Sequence, residues 1–238
     1  MQLPFDNLRR RRLYLVRHGE SAATHKDDGL YGDEITLTSK GLSEAKAMAE
    51  LLSDVSFTAT YSSDIQRAQQ TAEIIVGSRE IKVQSSNQFT EIRGDIEPIF
   101  RSDLAPAHRQ AMFAYELWNS AMPDACFFGG ESYREYLVRT GETLSEIVQT
   151  TEASDILIVS HSGFQRAALC WALDAGPAGF ARFEQDTCCL NILDIDVSPS
   201  GEIIRKHVRL ANYTPLDPVK SVSRLTDGES LAQRFLAS

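Results

Sequence analysis

The sequence predicts an α/β chain folded as a three-layer sandwich on a largely parallel sheet. Short apolar runs alternate with amphipathic, helix-spaced segments along most of its length. Two of those runs stop abruptly at a histidine with a glycine close behind, as when a strand carries a side chain to the rim of an open sheet. A length of 238 residues also suits one well-buried domain and does not call for two.

Leu13 to Val16, apolar without interruption, reads as a buried strand, and Ser39 to Leu52 as a helix with Leu42, Ala45, Ala49 and Leu52 on one face. Phe57 to Tyr61 is a second strand. Ser63, with Gln66 three positions on, makes a capping box for a helix that reaches Val76. Ile81 to Val83 is a short strand candidate; Asp155 to Ser160 is a strand followed by a helix from Phe164 to Leu173, which Gly176-Pro177 ends. Thr187 to Ile195 and Glu202 to Leu210 are the last strands.

Between Pro98 and Pro123 the chain turns helical and aromatic, with Phe100, Phe113, Tyr115 and Trp118, and a helix is expected from Ser132 to Val148. Residues 98–150 are therefore expected to form a helical lid, although aromatic stripes more often serve as ordinary core. The domain is taken as residues 1–211. Residues 212–238, with Pro215, Pro218 and an amphipathic stretch from Ser230 to Leu236, form an extension of no assigned role.

Composition narrows the function. A formal net charge of −9 argues against nucleic acid or an anionic membrane as partner, because both call for a broad basic field. A phosphate site must then be a local basic pocket. Cys126, Cys170, Cys188 and Cys189 lack paired metal-ligand spacing and are expected as reduced, mostly buried thiols. The basic Arg9 to Arg12 precede only four apolar residues, too few for a signal-peptide core, and no segment could span a bilayer, so a cytoplasmic enzyme is expected. Oligomeric state stays open, a homodimer included.

The two histidine strings are Leu15-Val16-Arg17-His18-Gly19-Glu20 and Val159-Ser160-His161-Ser162-Gly163. Their imidazoles could converge on one group, while Arg17 and Arg67 supply planar forks suited to phosphate oxygens, so the expected target is a phosphoryl group. Such chemistry needs charge neutralisation, an in-line nucleophile and a proton for the departing alkoxide. Histidine suits the nucleophile, being mostly neutral at pH 7, and His18 is the choice. No metal or other cofactor is needed, since two arginines and two histidines make the positive field, and neither a P-loop lysine motif nor a carboxylate-rich histidine cluster is present. Arg166 could simply meet nearby acidic groups. His25, His108 and His207 lack motif support and read as surface or packing residues.

Arg17-His18-Gly19-Glu20, Ser62-Ser63-Asp64 with Arg67-Ala68-Gln69-Gln70-Thr71-Ala72, and Ser160-His161-Ser162-Gly163, in that order, resemble the histidine phosphatase superfamily, which includes phosphoglycerate mutases. Thr38-Ser39-Lys40-Gly41-Leu42 and Gly130-Glu131-Ser132 add to the likeness. The resemblance implies a phosphoglycerate mutase-like fold, with a mixed sheet and helices on both faces. It also implies transient phosphorylation of His18, phosphate held by Arg17, Arg67 and His161, and Glu91 as the proton donor. Around Glu91 the match is imperfect: Gly94 comes one residue early, an aromatic is missing and Pro98 replaces a glycine, so Glu97 competes for the role.

The leading expectation is a metal-independent phosphatase for a small phosphomonoester. A phosphoglycerate mutase is the alternative, weakened because Glu91-Ile92-Arg93-Gly94-Asp95 departs from the mutase pattern and adjacent arginines are missing from the aromatic insert. A noncatalytic phosphate-binding relative is the third. The asparagine usual after the first motif is absent, with Thr24 near its place. Sugar phosphates, phosphoglycerate-like acids, a precursor such as α-ribazole phosphate and phosphoproteins all fit the resemblance, and a pocket shaped by Phe100 to Trp118 would favour a ring.

Overall fold

The computed structural model describes residues 7–21, 35–95, 105, 108, 111, 112, 115–122, 124–222 and 224–236. Six strands, β1 (Arg9–Arg17), β2 (Ala59–Ser63), β3 (Val83–Ser86), β4 (Asp155–Ser160), β5 (Leu190–Val197) and β6 (Ile203–Tyr213), form one sheet in the order β3-β2-β4-β1-β5-β6. The first four run parallel, and β5 and β6 are antiparallel to their neighbours, so the sheet is mixed. The helices are α1 (Ser39–Leu51), α2 (Gln66–Val76), α3 (Tyr133–Thr150), α4 (Ser162–Leu173) and α5 (Asp227–Leu236).

Successive strand residues point to opposite faces, so a strand buried on both sides must be apolar throughout. β1 and β4 follow that rule. Leu13, Leu15, Ile156 and Ile158 pack against α3 and α4, whereas Tyr14, Val16, Leu157 and Val159 pack against α1 and α2. The expected lid segment divides accordingly. Its last helix, α3, buries Leu144, Ile147 and Val148 in the main core and is a layer of the sandwich, because its apolar face has the sheet to cover. Most of residues 98–114, including Phe100 and Phe113, lies outside the described residues, as do Thr24 and His25.

Several boundaries move for identifiable reasons. β1 starts at Arg9, not Leu13, because β5 places Asp196 opposite Arg10 and Asp194 opposite Arg12. The Arg12 Nε–Asp194 Oδ1 and Arg10 Nε–Asp196 Oδ1 bonds are 2.7 and 2.8 Å long. The Arg10 guanidinium holds the Asp196 carboxyl below its ordinary value; at Asp194 burial pushes upward, but Arg12, Arg10 and Arg209 outweigh it. β2 is displaced two residues toward the C-terminus, with Phe57 left in the core against α1 and α2, and β3 begins where Ile81–Val83 was expected to end. The capping box is not formed either. Ile65 occupies the cap of α2 without a side-chain bond, and the Ser63 hydroxyl accepts from Ile65 N–H at 3.3 Å and meets His161 Nε2 at 2.9 Å.

Candidate active site

Parallel neighbours bring equivalent residues to the same end of a sheet. β1 and β4 are adjacent, with Arg17 opposite Ser160, so the residues that follow, His18 and His161, leave the sheet side by side. Their ring centroids are 5.1 Å apart at 64°. β2, on the far side of β4, ends at Ser63, and α2 starts three residues later with Arg67 in its first turn. Arg67, 5% exposed, donates from Nε to His18 Nε2 at 3.2 Å and lies with Nη2 3.4 Å from His161 Nδ1. The predicted Arg17, His18, Arg67 and His161 thus form one cluster.

The loop after β1 is held by close backbone approach. A Cβ on Gly19 would lie 2.6 Å from the Gly41 carbonyl oxygen, and one on Gly41 would lie 2.0 Å from that of Glu20. Gly19 N–H also donates to Thr71 Oγ1 at 3.1 Å, which ties the loop to α2.

Hydrogen bonds select the histidine tautomers. His18 Nδ1 lies 2.8 Å from the Gly19 carbonyl oxygen, which can only accept, so Nδ1 carries the proton and Nε2 presents a lone pair. His161 Nε2 lies 2.9 Å from Ser63 Oγ. Arg67 Nη2, which can only donate, faces His161 Nδ1, so in the free site His161 carries its proton on Nε2 toward Ser63; because a hydroxyl can also donate, Ser63 permits the tautomer with an outward Nδ1–H once Arg67 turns away. Burial, then the Arg67 charge, holds both imidazoles well below their ordinary value; Arg17 adds to the effect on each, and His161 adds to it on His18. Nearby Cys189 is no rival nucleophile, because burial pushes its thiol up to about 12.

Glu91 joins the cluster from the segment after β3. Its Oε1 accepts from Gly163 N–H at 2.8 Å and Ile92 N–H at 3.0 Å, which leaves Oε2 to carry a proton. Burial raises the Glu91 pKa above its ordinary value, against the pull of those two N–H groups and of Arg17 and Arg67. Gly163 makes the contact possible. A Cβ there would stand 2.1 Å from Glu91 Oε1, so the glycine that was expected to admit a ligand admits the chain's own carboxylate. Tyr136 Oη donates to the Thr90 carbonyl at 3.1 Å and anchors the preceding residue.

Arg166 is fully buried on α4 and donates to the Phe180 and Phe183 carbonyls, with Glu184 Oε1 at 3.5 Å, so it braces the segment after α4. His108 and His207 are exposed, and Glu97 lies outside the described residues. Two participants escaped the sequence reading. Ser63 reads from local sequence as a helix cap, and the strand order sets it against His161 instead. Asp227, at the start of α5, binds Arg17 Nη1 through Oδ1 at 2.9 Å, although its surrounding sequence carries no motif.

The two depressed histidines make stability fall in mild acid. Below about pH 6.5 the unfolded chain protonates both, whereas the folded protein keeps both neutral down to their lowered pKa values. Each should cost up to about 1.4 kcal/mol per pH unit in that window. Glu91, raised in the folded state, opposes them by one proton just above pH 4.5. Two protons outweigh one, so urea unfolding at pH 7, 6 and 5 should show declining stability; a flat or rising trend would contradict the neutral, buried assignment.

Residues 13–201 match the model of the Histidine phosphatase superfamily (branch 1). An adenosylcobalamin/alpha-ribazole phosphatase of Escherichia coli is 29% identical over 189 residues, which cover 78% of this chain and 90% of that protein. A probable 2-carboxy-D-arabinitol-1-phosphatase of Arabidopsis thaliana is 29% identical across 88% of this chain but only 43% of its own, longer one. Among solved structures, the alpha-ribazole phosphatase of Shigella flexneri superposes with a TM-score of 0.64 at 28% identity, covering 84% of this chain and 96% of that one.

Proposed function

This chain belongs to the histidine phosphatase superfamily and is a phosphatase, and from that premise we propose that it hydrolyses a small phosphomonoester, without a metal, through a phosphohistidine on His18. The observation that carries the reading is the tautomer of His18: Nδ1–H is fixed on Gly19, and Nε2 faces the guanidinium of Arg67.

In the first step the phosphate dianion displaces Arg67 from His18, and Arg17 and Arg67 take its oxygens. His18 Nε2 attacks phosphorus while the ester P–O bond breaks, and Oε2 of Glu91 gives its proton to the departing alkoxide. With Arg67 turned to the phosphate and away from His161 Nδ1, His161 takes the tautomer that Ser63 permits as donor and gives an Nδ1–H bond to a phosphoryl oxygen. In the second step Glu91, now ionised, takes a proton from water as the water oxygen attacks phosphorus, and His18 leaves with its lone pair restored. Alcohol and inorganic phosphate are the products.

We place the groups that touch substrate in residues 1–211, with 212–238 as a C-terminal extension. The substrate is a metabolite-sized phosphorylated alcohol, and the relatives named for α-ribazole phosphate and 2-carboxy-D-arabinitol phosphate put those two esters first in a test panel. Metal independence rests on the charge of the site, where the guanidinium groups of Arg17 and Arg67 supply the positive field for the phosphoryl oxygens. After dialysis against a strong chelator, the protein is expected to release phosphate from one or more esters of the panel at its undialysed rate. Complete loss, restored by one divalent metal, would require a different mechanism.

A further inference from the structure

We propose that Asp227, in the C-terminal extension, is a positioning residue that aims the phosphate-binding edge of Arg17, so that the extension belongs to the catalytic unit. The inference rests on the reading of Arg17 as a phosphate ligand. The matched family region ends at residue 201, so α5 lies outside it.

The geometry turns on which nitrogen of Arg17 is held. Nη1 bears two N–H bonds, and both are in use: one reaches the Gln185 carbonyl and the other Asp227 Oδ1 at 2.9 Å. Nε is buried and has no hydrogen-bond partner among the described residues. A guanidinium is planar, and pinning one corner with two acceptors fixes its plane and its opposite edge. The free edge is the one that can bind a phosphate through two parallel N–H bonds. A carboxylate competing with substrate would occupy that edge instead.

Asp227 is itself anchored. Its Oδ2 accepts from Ser162 Oγ at 3.1 Å, and its backbone N–H donates to Glu184 Oε2 at 2.9 Å. One carboxylate therefore joins the end of β1 to the start of α4, the two places that deliver His18 and His161. Burial opposes its ionisation, but the charges of Arg17 and Arg166 outweigh that and keep Asp227 below its ordinary value, hence charged at neutral pH. Thr214, Leu216, Leu225 and Thr226 of the extension also wall a cavity of about 410 Å³ that reaches Arg17 and Glu44.

The test is calorimetric titration of the full chain with inorganic phosphate, for the wild type, Asp227→Ala, Asp227→Asn, Arg17→Ala and the Arg17→Ala/Asp227→Ala pair. Asp227→Ala should weaken phosphate binding on the order of tenfold, the scale of one hydrogen bond to a charged group. Asp227→Asn, which keeps an acceptor for Nη1, should recover part of that loss. In the Arg17→Ala background the Asp227 substitution should change nothing further, because it acts through Arg17. Tighter binding by Asp227→Ala would show competition with the ligand and overturn the proposal, as would unchanged binding or a loss that persists without Arg17. A wild type that neither binds phosphate nor releases it from an ester would sink the phosphatase reading along with this one. An active wild type indifferent to Asp227 sinks this inference alone.

Discussion

His18→Ala should lower turnover on the order of ten-thousandfold and leave the fold standing. The size of the loss follows from the absence of a substitute. His161, its nearest imidazole, has Nε2 on Ser63 and Nδ1 toward Arg67. The Cys189 thiol is held protonated by burial. The fold should persist because the His18 side chain sits past the end of β1, beyond the register that pairs β1 with β4, and takes no part in the apolar clusters on either face of the sheet. Removing a buried imidazole that resists protonation also lifts part of the acid sensitivity. Phosphate release and a thermal unfolding curve on the same preparation decide it: a folded variant with undiminished release would remove His18 from the mechanism.

Glu91→Gln should cripple hydrolysis of an alkyl phosphate by roughly a hundredfold or more while slowing p-nitrophenyl phosphate far less. The carboxyl must be protonated to act, and burial already raises its pKa above the ordinary 4.5. A bound phosphate dianion raises it further by repulsion. An alkoxide needs the proton, whereas p-nitrophenolate departs without it. Glutamine keeps an oxygen to accept from Gly163 and Ile92, so the local structure is preserved and only the acid is lost. Single-turnover phosphorylation rates isolate the step concerned. Equal proportional losses for both leaving groups would count against Glu91, and the same comparison on Glu97→Gln, expected to leave the ratio unchanged, checks the rival carboxylate.

The site was legible where short-range sequence and sheet geometry coincide. His18 and His161 each end an apolar strand, and any parallel arrangement of adjacent strands sets them side by side. Arg67 was legible through its motif, and the first turn of α2 delivers it to both rings. Glu91 was reached only through resemblance, because what makes it an acid is burial and a bond to Gly163, 72 positions away in the chain. Ser63 was misassigned because a serine three residues before a glutamine fits a capping box equally well; the strand order, which no local pattern encodes, gives its hydroxyl to His161. The start of β1 was hidden for a similar reason: four arginines resemble a solvated tail until two aspartates on β5 face them. Asp227 had no local signal, since its partners Arg17 and Ser162 lie 210 and 65 positions back.

The central claim is a covalent phosphoryl group on one ring nitrogen. Mixing the full chain with radiolabelled substrate, quenching in alkali within a single turnover and mapping the labelled peptide tests it most directly. The account predicts base-stable, acid-labile phosphate on Nε2 of His18, formed no more slowly than product appears and missing from His18→Ala. Product release with no labelled protein at any time, or label found on a hydroxyl side chain or on His161, would contradict it.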